Sequence, residues 1–278
     1  MRLLWQLSAV AAVAFLGGQG LFAVEDDPWL TLALGVLVAV ASVFVYRWVV
    51  RRTEHRTVTE MAWKGAAAST GWGTLLGVGL FALVIVDIAF LGGYRLHGPG
   101  SAMSALALVG FMAAAAVTEE VMWRGVLFRI IQERTGTWVA LVLTGLAFGL
   151  VHMLNPNAGL WGAIAIAIEA GGMLTAAYVA TRSLWPPIGL HFGWNIAGSA
   201  ISSTEVSGND TPQGLLDATM SGPALLTGGG FGPEGSMYSV VFCVVTTLVF
   251  MWIAGRRGRI VPARRRAGRP AATAPLSR

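Results

Sequence analysis

Charge is scarce in this chain of 278 residues. Asp, Glu, Lys and Arg make up 12% of it, about half the share of an ordinary soluble domain. That shortage excludes a solvated globular surface. Cysteine is nearly absent: Cys243 stands alone, which excludes a disulfide framework and a Cys-rich metal site. There is no long repeat period, no His-Glu-x-x-His spacing, and no stretch from which a soluble domain could be carved. What fills the chain instead is apolar, 55% of its residues, with a mean hydropathy of +0.66.

An apolar helix needs roughly 20 residues to cross a bilayer core. Eight stretches approach that length: Leu3–Val24, Trp29–Val50, Trp72–Leu91, Ala102–Ile131, Trp138–Met153, Leu160–Ala180, Leu184–Ala200 and Met237–Ala254. The fold expected is all-α, a polytopic integral membrane bundle of about eight transmembrane helices. It forms one membrane domain over 1–255. The segment 256–278 mixes Arg with Pro, Gly and Ala, lacks hydrophobic periodicity, and is expected to be a disordered basic tail. The first stretch shares features with a signal peptide, but its run is long and no small-x-small site precedes Glu25, so it is read as a retained helix.

Charge orients the bundle. Arg2, the run Arg47 to Lys64, Arg129, Arg134, Arg182 and the tail from Arg256 alternate with connections carrying Glu25, Asp26, Asp27, Glu205, Asp210, Asp217 and Glu234. Positive segments stay inside, so a multi-pass protein of the cell membrane with both termini cytoplasmic is expected. The longest connection, Ile201 to Ser236, reads as an outer loop over the bundle. Net charge is +5 and the pI about 10.1, yet the basic residues are juxtamembrane. They serve topology and anionic headgroups, so the bilayer is the partner and nucleic acid is not. Trp29, Trp48, Trp72, Trp138, Trp185 and Trp252 mark segment ends as interfacial anchors.

Against this background the ionisable residues inside apolar stretches stand out. Glu119, Glu120 and Arg124 interrupt the fourth stretch, His152 ends the fifth, and His191 and Asn195 interrupt the seventh. Such groups are costly at membrane depth and usually face a polar cavity used for chemistry or transport. Glu120 and Arg124 are four apart and share a helical face, so they pair and leave Glu119 free in a neighbouring sector. Two adjacent carboxylates titrate as a coupled pair, which suits one of them to general-base work. Phe148 with His152, and His191 with Asn195, repeat the spacing of four. Counted at about 1.5 Å per residue from the inner boundary, Glu119 and His152 lie roughly 21–23 Å in, His191 roughly 13 Å and Asn195 roughly 20 Å. Asp87 and Glu169, also near mid-membrane, either line the cavity or bond a neighbouring helix.

In order, Glu-Glu-Val-Met-Trp-Arg (119–124), Phe-Gly-Leu-Val-His (148–152) and His-Phe-Gly-Trp-Asn (191–195) resemble the three motifs of the CPBP family, the CAAX proteases and bacteriocin-processing enzymes also called the Abi family. The resemblance covers Ala102 to about Ala200, the expected catalytic core. It implies an intramembrane endopeptidase that cuts a membrane-associated protein or peptide, prenylated in some relatives. It further implies that Glu119 activates the attacking water with His152 assisting. Glu120 and Arg124 would then shape the site, and His191 and Asn195 would stabilise the oxyanion. No cofactor is implied with certainty. A Zn²⁺ variant stays open, because two His and a Glu can bind the ion and leave a water position. Two other classes compete: a proton-coupled secondary transporter, which also uses mid-membrane acids, and a non-catalytic immunity or scaffold protein. The first lacks a second Glu-Glu pattern in the other half of the chain; the second has no need of all six polar residues.

Overall fold

The computed structural model describes residues 1–263. Seven helices are long and apolar enough to cross a membrane: α1 (Arg2–Ala23), α2 (Pro28–Glu54), α3 (Ala66–Phe90), α4 (Ala102–Thr135), α5 (Thr137–Leu154), α6 (Leu160–Thr181) and α8 (Met237–Arg256). Between the last two lies α7 (Trp185–Ile196), continued by a π turn over Ala197–Ile201. All eight apolar stretches are therefore helical, and the chain is an all-α polytopic bundle. α6 is the central helix, with 83% of its apolar window buried against 17% for α1. Leu4, Trp5, Phe15, Trp72, Leu75, Val142 and Leu248 stand exposed on the perimeter, the surface a lipid environment covers.

Local sequence explains where the helices begin. Asp27 caps α2, accepting from the Trp29 and Leu30 amides, with Pro28 at the first helical position. Ser101 caps α4 and Ser236 caps α8 in the same way. Pro156 and Gly159 sit in the turn that separates α5 from α6.

The contacts between connections sort the bundle into two ends. At one, Arg129 binds Glu54 (2.8 Å) and Gln6 (2.9 Å), Arg2 binds Glu133, Arg182 binds Gln132, and Thr137 pairs with Val261. At the other, Thr31 donates to Val24 O, Tyr94 to Ser202 O, Asn155 to Ser207 O and Trp161 to Gly235 O. The first is the basic end and the second the acidic end. Arg2 and Val261 lie at the same end, as an even number of crossings requires. Residues 257–263 do not leave the bundle at once, since Arg257 and Arg259 donate to Ala180 O. The rest of the basic tail lies outside the described residues. The acidic-end loop contains a strand, β2 (Leu216–Met220), antiparallel to β1 (Tyr94–Pro99), with a bulge between Leu96 and Gly98.

The basic-end ion network was not expected from charge counting, which assigned these residues only to topology. Glu60 accepts from Arg56 (2.7 and 2.9 Å) and from Tyr46 Oη (2.6 Å). Burial opposes ionisation of Glu60, but hydrogen bonds from Arg56 and Tyr46 outweigh it and hold its carboxyl below the usual carboxylate range. A depressed carboxylate contributes stability that is present above its unfolded value, about 4.3, and is lost as pH falls through the lower folded value. The melting temperature in detergent should therefore drop on acidification. Glu60→Gln should melt lower at neutral pH and show a flatter acid limb. An acid limb of unchanged steepness would rule Glu60 out as its source.

Close helix approach positions α7. A Cβ built at Gly189 or Gly193 would lie 2.1 Å from Thr70 O or 2.2 Å from Thr74 O of α3. Only glycine lets the two backbones meet there, the small-residue packing common between membrane helices. Those two glycines bracket His191.

Candidate active site

Three of the helices contain or run into a π-wound segment. α4 is π-wound over Val121–Phe128, directly after Glu120. α6 is π-wound over Ala167–Leu174, which contains Glu169, and the π turn after α7 follows Asn195. Side chains take carbonyls in or beside these segments. Gly125 O accepts from Tyr46 Oη and Arg129 Nε, Ala170 O from Arg124, and Asn195 O from Ser199 Oγ. Such insertions into the backbone ladder are a recognised cause of irregular winding, and π segments concentrate at functional sites.

Glu120 and Arg124 form the buried centre. Their ion pair measures 2.6 Å, with the side chains 0% and 1% exposed. Arg124 is completed by Thr175 Oγ1 at 3.3 Å, by Ala170 O, and by the Phe148 ring 5.1 Å below its guanidinium. Removing one partner of such a pair strands a buried charge, which costs about 3–5 kcal/mol. Neither residue lines the cavity; they stand behind its wall.

The same carboxylate oxygen of Glu120 holds His191, 2.9 Å from Nδ1. Because that carboxylate is ion-paired, Nδ1 must carry the proton and donate. The imidazole is thereby fixed, with Nε2 turned toward Glu119 Oε2 at 3.9 Å. Glu119 Oε2 is enclosed and has no hydrogen-bond partner among the described residues. Phe148 carries His152 above it: the rings are 4.5 Å apart, and His152 Nδ1 lies 2.8 Å from Phe148 O. That contact commits Nδ1 and leaves Nε2 as the free ring nitrogen.

A cavity of about 920 Å³ joins these groups. Glu119, His152, His191 and Asn195 all line it, with Glu169, Trp194 and Glu234. Its upper wall is made at the acidic end by Glu25, Asp26, Asn155 and Asp210. All six polar residues of the three motifs thus converge, four on the wall and two behind it.

The structure adds three relations to the sequence reading. First, Glu119 and His191 lie side by side, carboxylate and imidazole 3.9 Å apart. Second, the partner beside Glu119 is His191, whereas His152 makes no ion-pair contact with it. Third, of the two carboxylates left unassigned, Glu169 lines the cavity and Asp87 does not.

Glu234 was missed outright, having counted only as an outer-loop charge. It accepts from Trp194 Nε1 at 2.8 Å and from the Ser207 amide and hydroxyl. Burial pushes its carboxyl above the usual range, and hydrogen bonds from Trp194 and Ser207 offset only part of that. Its place in Gly-Pro-Glu-Gly, immediately before α8, was the available signal.

Against known families, residues 101–197 match the one described as type II CAAX prenyl endopeptidase, Rce1-like. That segment is an Rce1-like domain. The match starts at Ser101, the cap of α4, and ends two residues beyond Asn195, so it takes in the whole polar constellation. An Rce1-like domain is an intramembrane endopeptidase of CAAX type, which here sits in a multi-pass membrane protein. No curated protein and no solved structure matched the chain.

Among the described residues, no group of three or more His, Cys, Asp or Glu side chains is placed to hold a metal ion. As placed, these donors do not form a metal site.

Proposed function

We propose that the chain hydrolyses peptide bonds of a membrane-associated protein or peptide with water activated by Glu119. The observation that carries this reading is Glu119 Oε2: an enclosed, unpartnered carboxylate oxygen at a cavity wall, 3.9 Å from an oriented imidazole. Glu119 takes the proton of a water positioned beside it, and the resulting hydroxide adds to the scissile carbonyl. Asn195 donates its amide N–H to the developing oxyanion. Donation from His191 Nε2 requires the imidazolium, because Nδ1–H is already given to Glu120. Collapse of the tetrahedral intermediate then returns the proton from Glu119 to the leaving amine, so the protons balance without another acid. In a water-excluded site each of these interactions is stronger than in bulk.

Glu120 and Arg124 act through position: one pair aligns His191 and anchors α6 through Ala170. Leu108, Phe111 and Met112 line the cavity on α4. They provide an apolar bed for the hydrophobic part of a membrane-bound substrate, the prenyl group named for the family being one such moiety. Cleavage of a fluorogenic reporter peptide in detergent or lipid tests the activity directly.

Orientation belongs to the same proposal. With basic segments cytoplasmic, both ends of the described chain face the cytoplasm and the cavity mouth faces the other side. Cysteines introduced at Gln213 and Ala263, both exposed, should label from opposite sides of sealed vesicles, while native Cys243 is buried. Labelling of both from one side would sink the eight-crossing topology.

A further inference from the structure

Glu169 has no place in the hydrolytic scheme, yet its environment is unusual. The residue is 2% exposed. Both of its carboxylate oxygens are enclosed without a hydrogen-bond partner among the described residues, and the side chain lines the cavity. Buried polar groups in folded proteins are nearly always paired, so this one is short of a partner that the cavity must admit. Its backbone is held firmly, because the next residue, Ala170, gives its carbonyl to Arg124.

The rest of the wall indicates the sign of that partner. Glu25, Asp26, Glu119, Glu169, Asp210 and Glu234 line the cavity, and no Lys or Arg does. Arg124, the cation behind the wall, is already taken by Glu120, Thr175 and Ala170 O. Glu234 is bonded by Trp194 and Ser207, and Glu119 serves the water. Glu169 is therefore the carboxylate with acceptors to spare. Ile166, Met173 and Trp194 share the wall with it, apolar surface of the kind that accepts the methylene stem of a long basic side chain. At the mouth, Glu25 and Asp26 are exposed. A cleft lined by one sign of charge draws the opposite sign inward.

We propose that Glu169 binds a lysine or arginine side chain of the peptide being cut, and that the acidic mouth guides that cationic segment in. This specificity rests on the endopeptidase reading.

The test uses full-length protein in detergent and matched fluorescent peptides. They differ only in Lys, norleucine or Glu, scanned through the positions flanking the scissile bond. At one position Lys should exceed norleucine by about 10-fold in kcat/KM, one decade being the effect of a modest buried charge pair, and Glu should fall below both. In Glu169→Gln the ratio of Lys to norleucine should approach one, whatever the absolute rates, and Glu169→Asp should keep part of it. The same ratios should appear in anisotropy binding to Glu119→Gln and to Glu119→Gln/Glu169→Gln, which needs no turnover.

A wild-type ratio of one at every position, or a ratio unaltered by Glu169→Gln, overturns the proposal. Should Glu169→Gln fail to fold, Glu25→Gln/Asp26→Asn at the exposed mouth must weaken the Lys peptide selectively and flatten its salt dependence; no change there also overturns it. If no peptide is cut but Glu169-dependent Lys binding persists, the cation site stands and the endopeptidase reading falls.

Discussion

Purified Glu119→Gln should lose about 10²–10⁴ in turnover of a reporter peptide while remaining folded and membrane-inserted. The amide keeps the shape of the carboxylate and removes its ability to take a proton from water. Little structural cost is expected, because Glu119 Oε2 has no hydrogen bond to lose, and α4 is tied to α6 instead by Arg124, paired with Glu120 and donating to Thr175 and Ala170 O. The separation is built into the sequence, where adjacent glutamates point to different sectors of the helix. A melting curve taken alongside the kinetics distinguishes lost chemistry from lost folding. Turnover near the wild-type rate in a folded variant would remove Glu119 as the base and revive the transporter and scaffold readings.

Asn195→Ala carries the second large effect. The side chain of Asn195 lines the cavity, so it can reach a reacting group. If it donates to the oxyanion, its loss should lower kcat by about 10²–10³, or roughly 3–4 kcal/mol, with KM changed far less. That split follows from an interaction made mainly in the transition state. A packing role forecasts the reverse, lower thermal stability with kcat intact. The helix itself should tolerate the substitution, because α7 is anchored by the glycine contacts to α3 and by His191 on Glu120. Steady-state kinetics and a melting curve in one detergent decide the matter. A selective stability loss would demote Asn195 to a helix-packing residue.

The two forecasts differ in how far they were legible beforehand. Hydropathy located all eight helices because each must satisfy its backbone internally in lipid, a constraint written locally in the chain. Even α7, shorter than a standard span with its π turn included, was legible from its apolar run. The spacing of four joined Glu120 to Arg124, Phe148 to His152 and His191 to Asn195, since partners on one helix are set by the helix itself. Contacts between helices were not legible in that way. Nothing local to His191 says that Nδ1 meets Glu120 rather than another acceptor. Likewise nothing in Arg129 announced that it would gather Glu54 and Gln6 from two other helices.

The π winding of α4 was not legible for a related reason, because it goes with contacts between helices. Tyr46 and Arg129 both take Gly125 O, a competition visible only once α2 and α4 are side by side. Glu169 and Glu234 entered the site by the same route. One came from a helix outside the motifs and the other from a loop read as solvent-facing. By itself, then, the sequence determined an all-helical membrane bundle, the alternation of its ends, and which residue types were too polar to face lipid. Which of those residues meet, which carboxylate keeps a free oxygen, and which wall the cavity presents were decided by packing between helices, because those relations depend on distances across the fold and have no period along the chain.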